Sequence, residues 1–338
     1  MIDENITKVN SFKSPREKRS YLLILIGLIF LSGLNIYGLL IYNNPVPIDS
    51  PSFLPVIKKR QNAIIAMAIA AVCQSIASIS FQSVANNRII TPSILGFEAI
   101  YSTINTAIMY SLGISGFLAI AGRGFFIFQI LAMVAICLLL FMGILNRRDS
   151  NMELMLLIGV ILGQGLRSIS AFMRRLLSPS EFDILQAKLF ASVNNADSQY
   201  FLISSIIVIV LVGLFFKNSK KLDILNLGKD TAINLGLDHK RAMVFSLIGV
   251  AILISISTAL VGPMTFYGFL VASLTYELAK TYDHKYLFLM AIFLAFVILS
   301  GSYFIMNHIF NANGVVSVLI ELIGGVSFLI LIFKDNRL

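Results

Sequence analysis

Ten apolar runs, each close to the length that crosses a bilayer, set the terms for this chain. They lie near 21–41, 61–81, 93–112, 118–145, 152–173, 199–216, 242–262, 266–281, 286–307 and 315–333. A spanning helix needs about 20 apolar residues, because backbone groups in hydrocarbon must bond within their own segment. The expected fold is therefore an all-α membrane protein with about ten transmembrane helices. The run at 266–281 is short and partly polar, and Gly122-Arg123-Gly124 moves the start of the fourth span past Arg123. Composition agrees, since 57% of the 338 residues are hydrophobic and 13% charged, against about 25% charged in a soluble domain.

Charge placement gives the orientation. With the N-terminus in the cytoplasm and the loops alternating, eighteen of the 26 Lys and Arg residues fall inside, seven outside, and Arg167 within a span. The positive-inside rule thus favours ten spans with both ends cytoplasmic. The expected organisation is a cytoplasmic N-terminal segment over 1–20, one polytopic domain over 21–334 and a cytoplasmic tail over 335–338. The first run is too long for a signal-peptide core, which makes it a retained span. Such a chain belongs in a plasma or inner membrane, surrounded by lipid.

Two loops stand out. Residues 42–60 carry Pro45, Pro47, Pro51 and Pro55, which suggests a stiff crossing of the outer face. Residues 217–241 form the longest cytoplasmic segment, and their Leu222, Leu225, Leu227, Ile233, Leu235 and Leu237 want a partner or a membrane surface to cover them.

Several chemistries have no support in the sequence. Gly228-Lys229 continues into Asp230 without the glycine spacing of a phosphate-binding loop, so ATP would have to bind another subunit. His239, His284 and His308 are dispersed, and Cys73 and Cys137 sit alone inside apolar runs, so no metal site or cofactor is expected. No Gly-x-Ser-x-Gly elbow occurs, and no catalytic residue is assigned. The chain reads as a non-enzyme. A basic face with interleaved aromatics is also missing, which argues against nucleic acid.

Polar residues inside the spans have two readings. Glu98, Arg167 and Glu321 are either a relay or interhelical pairs and snorkelling side chains. The second span carries Gln74, Ser75, Ser78, Ser80, Gln82 and Ser83; the fifth carries Gln164 and Ser168 beside Gly159, Gly163 and Gly165. Either stripe would line an aqueous route or bond helices together.

Four separated motifs carry a family resemblance. Gln82 and Asn87, with Thr91-Pro92-Ser93-Ile94-Leu95-Gly96, are followed far downstream by Val261-Gly262-Pro263-Met264-Thr265-Phe266-Tyr267-Gly268 and Asp283-His284. Gly228, Ala232, Leu235-Gly236 and Arg241 form a third, and Gly314-Val315-Val316 with Gly324-Gly325 a fourth. Over about 60–334 this resembles FecCD-type permeases, the membrane subunits of type II ABC importers for iron-siderophores, haem and vitamin B12. Arg88 in place of proline, Ala272-Ser273 in place of Pro-His, and Asn311 to Asn313 without Glu-Leu-Pro mark a divergent branch.

The resemblance implies a type II importer permease fold. It also implies a translocation path for an iron chelate, with two ATPase subunits, an extracytoplasmic binding protein and a second permease that is a paralogue or another copy. Asp230, Thr231, Ala232, Leu235 and Gly236 would couple to the ATPase. Lys58, Lys59 and Arg60, with Arg174 and Arg175, would meet acidic residues of the binding protein; anchoring to lipid headgroups is the plainer use of such charges. Ser78, Gln82, Gln164 and Ser168 are the expected pathway-lining residues. Asn87, Pro92, Gly96, Gly262, Pro263, Phe266 and Gly268 carry the family motifs. The alternative function is an ion-coupled secondary transporter using Glu98, Arg167 and Glu321; a membrane scaffold without transport is a third.

Overall fold

The computed structural model describes residues 11–42, 44, 46–47, 50–51, 53–145, 152–310 and 316–334, with side chains at all of these except 94, 140–145, 152–153, 195, 328 and 330–334. Gly314, Val315, Asn311 to Asn313, the 335–338 tail and the first ten residues lie outside the described residues. The described residues form thirteen α-helices: α1 Pro15–Ile41, α2 Phe53–Ala85, α3 Phe97–Ile120, α4 Arg123–Leu145, α5 Met152–Arg175, α6 Pro179–Leu189, α7 Phe201–Lys217, α8 Ser219–Leu225, α9 Lys229–Asn234, α10 His239–Val261, α11 Tyr267–Ala279, α12 His284–His308 and α13 Val316–Lys334. Every one of the ten apolar runs falls on a helix, and no strand occurs among the described residues.

Helix ends follow local chemistry more than hydropathy. Helix α1 begins at Pro15, six residues before its apolar run, because Ser14 accepts the Glu17 N–H at 3.2 Å and proline suits the first turn. Helix α2 begins at Phe53, so Lys58, Lys59 and Arg60 stand in its second turn, not in an extended loop. Pro55 is tolerated because first-turn amides have no intrahelical acceptor. The far end of α2 closes in a Schellman motif. Asn86 takes φ +48°, its N–H reaches Ser83 O at 3.3 Å, and the Asn87 N–H reaches Gln82 O at 3.1 Å.

Helix α2 is the axle of the bundle. Its stretch from Ala66 to Val84 is almost wholly buried, packed chiefly against α10 and α12, then α11. Helix α1 lies on α12, α4 on α10, and α3 on α5.

Two turns sit at mid-depth. Pro92–Leu95 is a 3-10 turn ending at Gly96, whose Cβ direction points 3.1 Å from the Gly163 Cα, halfway along α5. The 93–112 run therefore loses its first residues to this turn, and α3 starts inside the bundle. The second turn, Gly262 to Phe266, precedes α11, whose 13 residues reach only about 20 Å at ~1.5 Å per residue, short of the ~30 Å core. Irregular backbone at such depth persists only where protein covers it. Here the cover is Ala191 against Gly262, Gly324 against Phe266, and Ser192 N–H donating to Val261 O at 2.8 Å.

Candidate functional site

Residues 217–241 fold as two short helices on one end of the bundle. Leu222 and Leu225 of α8 are 2% exposed and hold the segment on α2, α10 and α12. Gly228, at φ +92°, turns the chain into α9. Helix α9 then closes in its own Schellman motif: Gly236 takes φ +79°, its N–H meets Ile233 O at 2.9 Å, and the Leu237 N–H meets Ala232 O at 3.0 Å. This explains Leu235-Gly236 as a sequence pair. Glycine ends the helix, and the residue before it is turned outward.

The segment presents apolar surface at both ends of α9. Leu227, Ile233 and Leu235 are 57%, 51% and 59% exposed, while Ala232 is fully buried. Asp230 and Thr231 lie exposed on the same short helix. Ala232 thus anchors α9, and the surface belongs to its neighbours.

At the opposite end, Arg60 has a structural task. Its Nη1 donates to Leu39 O, Leu40 O and Tyr42 O at 3.2, 3.1 and 3.0 Å, capping the C-terminal carbonyls of α1. Lys58 and Lys59 are exposed beside it. Lys59 and Arg60 border a pocket of ≈ 300 Å³ completed by Leu39, Val56, Asn194, Tyr303, Asn307 and His308. Arg174 Nε donates to Ser170 O at 3.3 Å and Arg175 is exposed; neither borders that pocket.

The expected lining residues separate into two groups. Ser78 and Gln82 are 0% and 1% exposed: Ser78 faces Gly268 of α11, and Gln82 Nε2 donates to Arg88 O at 2.7 Å. They pack the centre of the chain. Gln164 and Ser168 are exposed on α5, together with Arg167, whereas Gly159 and Gly163 of that helix meet Leu95 and Gly96. An arginine in hydrocarbon costs about 2.5–3.5 kcal/mol on insertion scales, so this polar face of α5 requires water or protein, not lipid tails.

Glu98 and Glu321 meet at mid-depth. The Thr265 hydroxyl donates to Glu98 Oε2 at 2.9 Å and lies 3.4 Å from Glu321 Oε1. Glu98, in the first turn of α3, is 7% exposed, Glu321 is exposed on α13, and the Arg167 charge acts on Glu98. A carboxylate there also complements the α3 dipole. The family-motif residues serve the turns: Asn87 Oδ1 accepts the Ile89 N–H at 2.9 Å, Pro92 opens the 3-10 turn, and Gly262, Pro263 and Phe266 shape the second turn.

Two features escaped the sequence reading. Helix α6 lies between the fifth and sixth apolar runs, where Ser178-Pro179-Ser180-Glu181 is a capping box in which the Ser178 N–H donates to Glu181 at 2.8 Å. Its hydrogen bonds from Ser178 hold the Glu181 carboxyl below the usual range. The second is His284, read as a dispersed loop-end residue, which is fully buried between Asp223 and Ser83.

A many-helix bundle with turns at mid-depth and a short-helix knob at one end is the architecture of a polytopic membrane protein. The FecCD transport family model matches residues 20–334, and the chain belongs to that family. It is a multi-pass membrane protein. A petrobactin import system permease protein of Bacillus anthracis, FatC, is 53% identical over 329 residues, 97% of this chain and 93% of FatC. YclO of Bacillus subtilis (strain 168), of the same description, is 37% identical over 257 residues, 76% of this chain and 82% of YclO. A solved structure described as an inward-facing metal-chelate type ABC transporter shares the fold, at TM-score 0.78 and 18% identity over 93% of this chain and 99% of that one.

Proposed function

We propose that this chain is a permease subunit of an ATP-driven importer for an iron chelate, delivered by an extracytoplasmic binding protein. The observation that carries the reading is the α8–α9 knob. Two buried leucines fix it to the bundle, while Leu227 before the Gly228 turn and Ile233 and Leu235 before the Gly236 turn stay exposed. Apolar side chains gathered this way suit a groove on an ATPase subunit. With both termini and this knob in the cytoplasm, closure of the ATPase pair would pull on α7 and α10, which flank it, and switch access.

The names of its relatives make iron-loaded petrobactin the substrate to test. Two different permeases of Bacillus anthracis carry the petrobactin import description, one 53% and one 22% identical to this chain. That supports pairing with a paralogue. The polar face of α5, with Gln164 and Ser168, then lines the path between the two permeases. Lys58, Lys59 and Arg60, with Arg174 and Arg175, then steer the binding protein.

The test is co-purification with the neighbouring ATPase and second permease. Leu235→Asp is expected to release the ATPase while the two permeases stay together. Retention of the ATPase by that variant, or import by the chain alone from an ion gradient, would remove the reading.

A further inference from the structure

The buried histidine of α12 joins three elements that the sequence keeps apart. The His284 backbone N–H donates to Asp223 Oδ1 at 3.0 Å, and its ring Nδ1 lies 2.5 Å from the same oxygen. The other ring nitrogen, Nε2, lies 2.6 Å from Ser83 Oγ. Asp223 belongs to α8 and Ser83 to the last turn of α2. One unbroken chain of short hydrogen bonds therefore runs from the knob, through the first residue of α12, to the end of the central helix.

The order Ser–His–Asp invites a catalytic reading, and burial excludes it. Ser83 is 1% and His284 0% exposed, so no scissile group can reach the hydroxyl. Ser83 Oγ is also within 3.0 Å of the Ile79 carbonyl of its own helix, to which it donates. The surroundings are packed rings: Phe288 stands 5.6 Å from the imidazole, with Phe215 and Phe216 of α7 on Phe288 at 6.2 and 5.5 Å.

Its surroundings suit a mechanical role. The remaining contacts of α8 with the bundle are largely apolar, through Leu222 and Leu225, and apolar contact is non-directional, so it permits sliding. Hydrogen bonds of 2.5–2.6 Å to a carboxylate or an imidazole fix direction and register. In a largely buried network they also rigidify one another. The far side of the junction is equally tied. Ser11 Oγ donates to Asp283 at 2.8 Å, and the Phe12 ring packs 4.9 Å from Tyr286, while Arg88 stacks 4.7 Å over Tyr276, which is hydrogen-bonded to Ser83.

We propose that Asp223, His284 and Ser83 are the transmission link of the permease: positioning residues that convert displacement of the α8–α9 knob into motion of α12 and α2. The proposal rests on the reading of 217–241 as the ATPase-docking segment. Without the link, a pull on α9 would be absorbed by slippage of α8 over the bundle.

The experiment uses the full complex, with both permeases, the ATPase and the binding protein, in proteoliposomes. Iron chelate delivered per ATP hydrolysed is measured for the wild type, Asp223→Asn, Ser83→Ala and the double variant. The conservative changes keep volume, and co-elution with the ATPase confirms assembly of each. Each single variant is expected to lower chelate per ATP by about fivefold or more, the scale of a typical coupling energy between sites. The double variant is expected to be no worse than the poorer single one, because a chain cut once is already cut. Unchanged stoichiometry in either single variant, or losses that multiply in the double one, would overturn the proposal. Leu235→Asp separates the two claims. If it fails to release the ATPase, the docking reading falls and the link with it; if it releases the ATPase while Asp223→Asn transports at wild-type stoichiometry, the link alone falls.

Discussion

Gly268 of α11 faces Ser78 of α2 so closely that a Cβ on the glycine would stand 2.1 Å from the serine hydroxyl oxygen and 3.3 Å from its Cβ. Small residues at such a crossing let two helices approach, which is the main source of association where hydrocarbon surrounds both. Gly268→Ala is expected to destabilise the protein by about 1–3 kcal/mol, the usual cost of overpacking. Ser78→Ala removes the clashing oxygen, so the double variant should recover most of that loss. Thermal unfolding in detergent gives the comparison; a double variant as unstable as Gly268→Ala would mean that the crossing is not what holds this position to glycine.

Arg60 carries two roles that a single charge reversal would confuse. Its guanidinium caps α1 through three carbonyls, so Arg60→Ala should lower stability by roughly 0.3–2 kcal/mol, the range for a charge at a helix terminus. Lys59→Glu leaves that cap intact. If the patch steers the binding protein, Lys59→Glu should slow association several-fold at low ionic strength and little at high salt. Equal association rates for wild type and Lys59→Glu at low salt would leave Lys59 as a lipid anchor.

The mid-depth carboxylates separate ATP coupling from ion coupling. Thr265→Val removes the hydroxyl that serves Glu98 and leaves a buried carboxylate oxygen unpaired, at a cost of about 1–3 kcal/mol. Glu98→Gln and Glu321→Gln should still import with collapsed ion gradients and stop without ATP. Import that requires an ion gradient and disappears in either glutamine variant would move the mechanism to Glu98, Arg167 and Glu321.

Hydropathy made the helices under the ten apolar runs legible because a helix satisfies its own backbone polarity, and a membrane-crossing one needs a long apolar run. It could not place the depth at which α3 and α11 begin. Pro92-Ser93-Ile94-Leu95-Gly96 reads as apolar as any span, and its burial beside Gly163 depends on another helix. Helix α6 was hidden for the opposite reason. Its Ser178-Pro179-Ser180-Glu181 start is a strong local signal in a stretch too polar to look like a span. The apolar residues of 217–241 are visible as a group, but which of them are buried and which protrude depends on the packing of α8 and on the turns at Gly228 and Gly236. His284 was the least visible. A histidine at a helix start is ordinarily solvated, and only the fold brings Asp223 and Ser83, 61 and 201 residues away, against its ring.

The two faces of the candidate path can be told apart by chemistry in the membrane. Ser168 is exposed on α5, whereas Ser78 is fully buried beneath α11, and the native Cys73 and Cys137 are both 0% exposed. Single cysteines at these serines therefore report with little background. A thiolate forms only where water reaches it, and the charged reagent reacts with thiolate. Ser168→Cys and Gln164→Cys should react with a membrane-impermeant thiol reagent in the assembled complex, at rates that change with ATP as access switches. Ser78→Cys and Gln82→Cys should not react in either state. Labelling at Ser78→Cys in the folded complex would place water along α2 and return that stripe to the path. Silence at both α5 positions would assign the α5 face to the contact with the second permease.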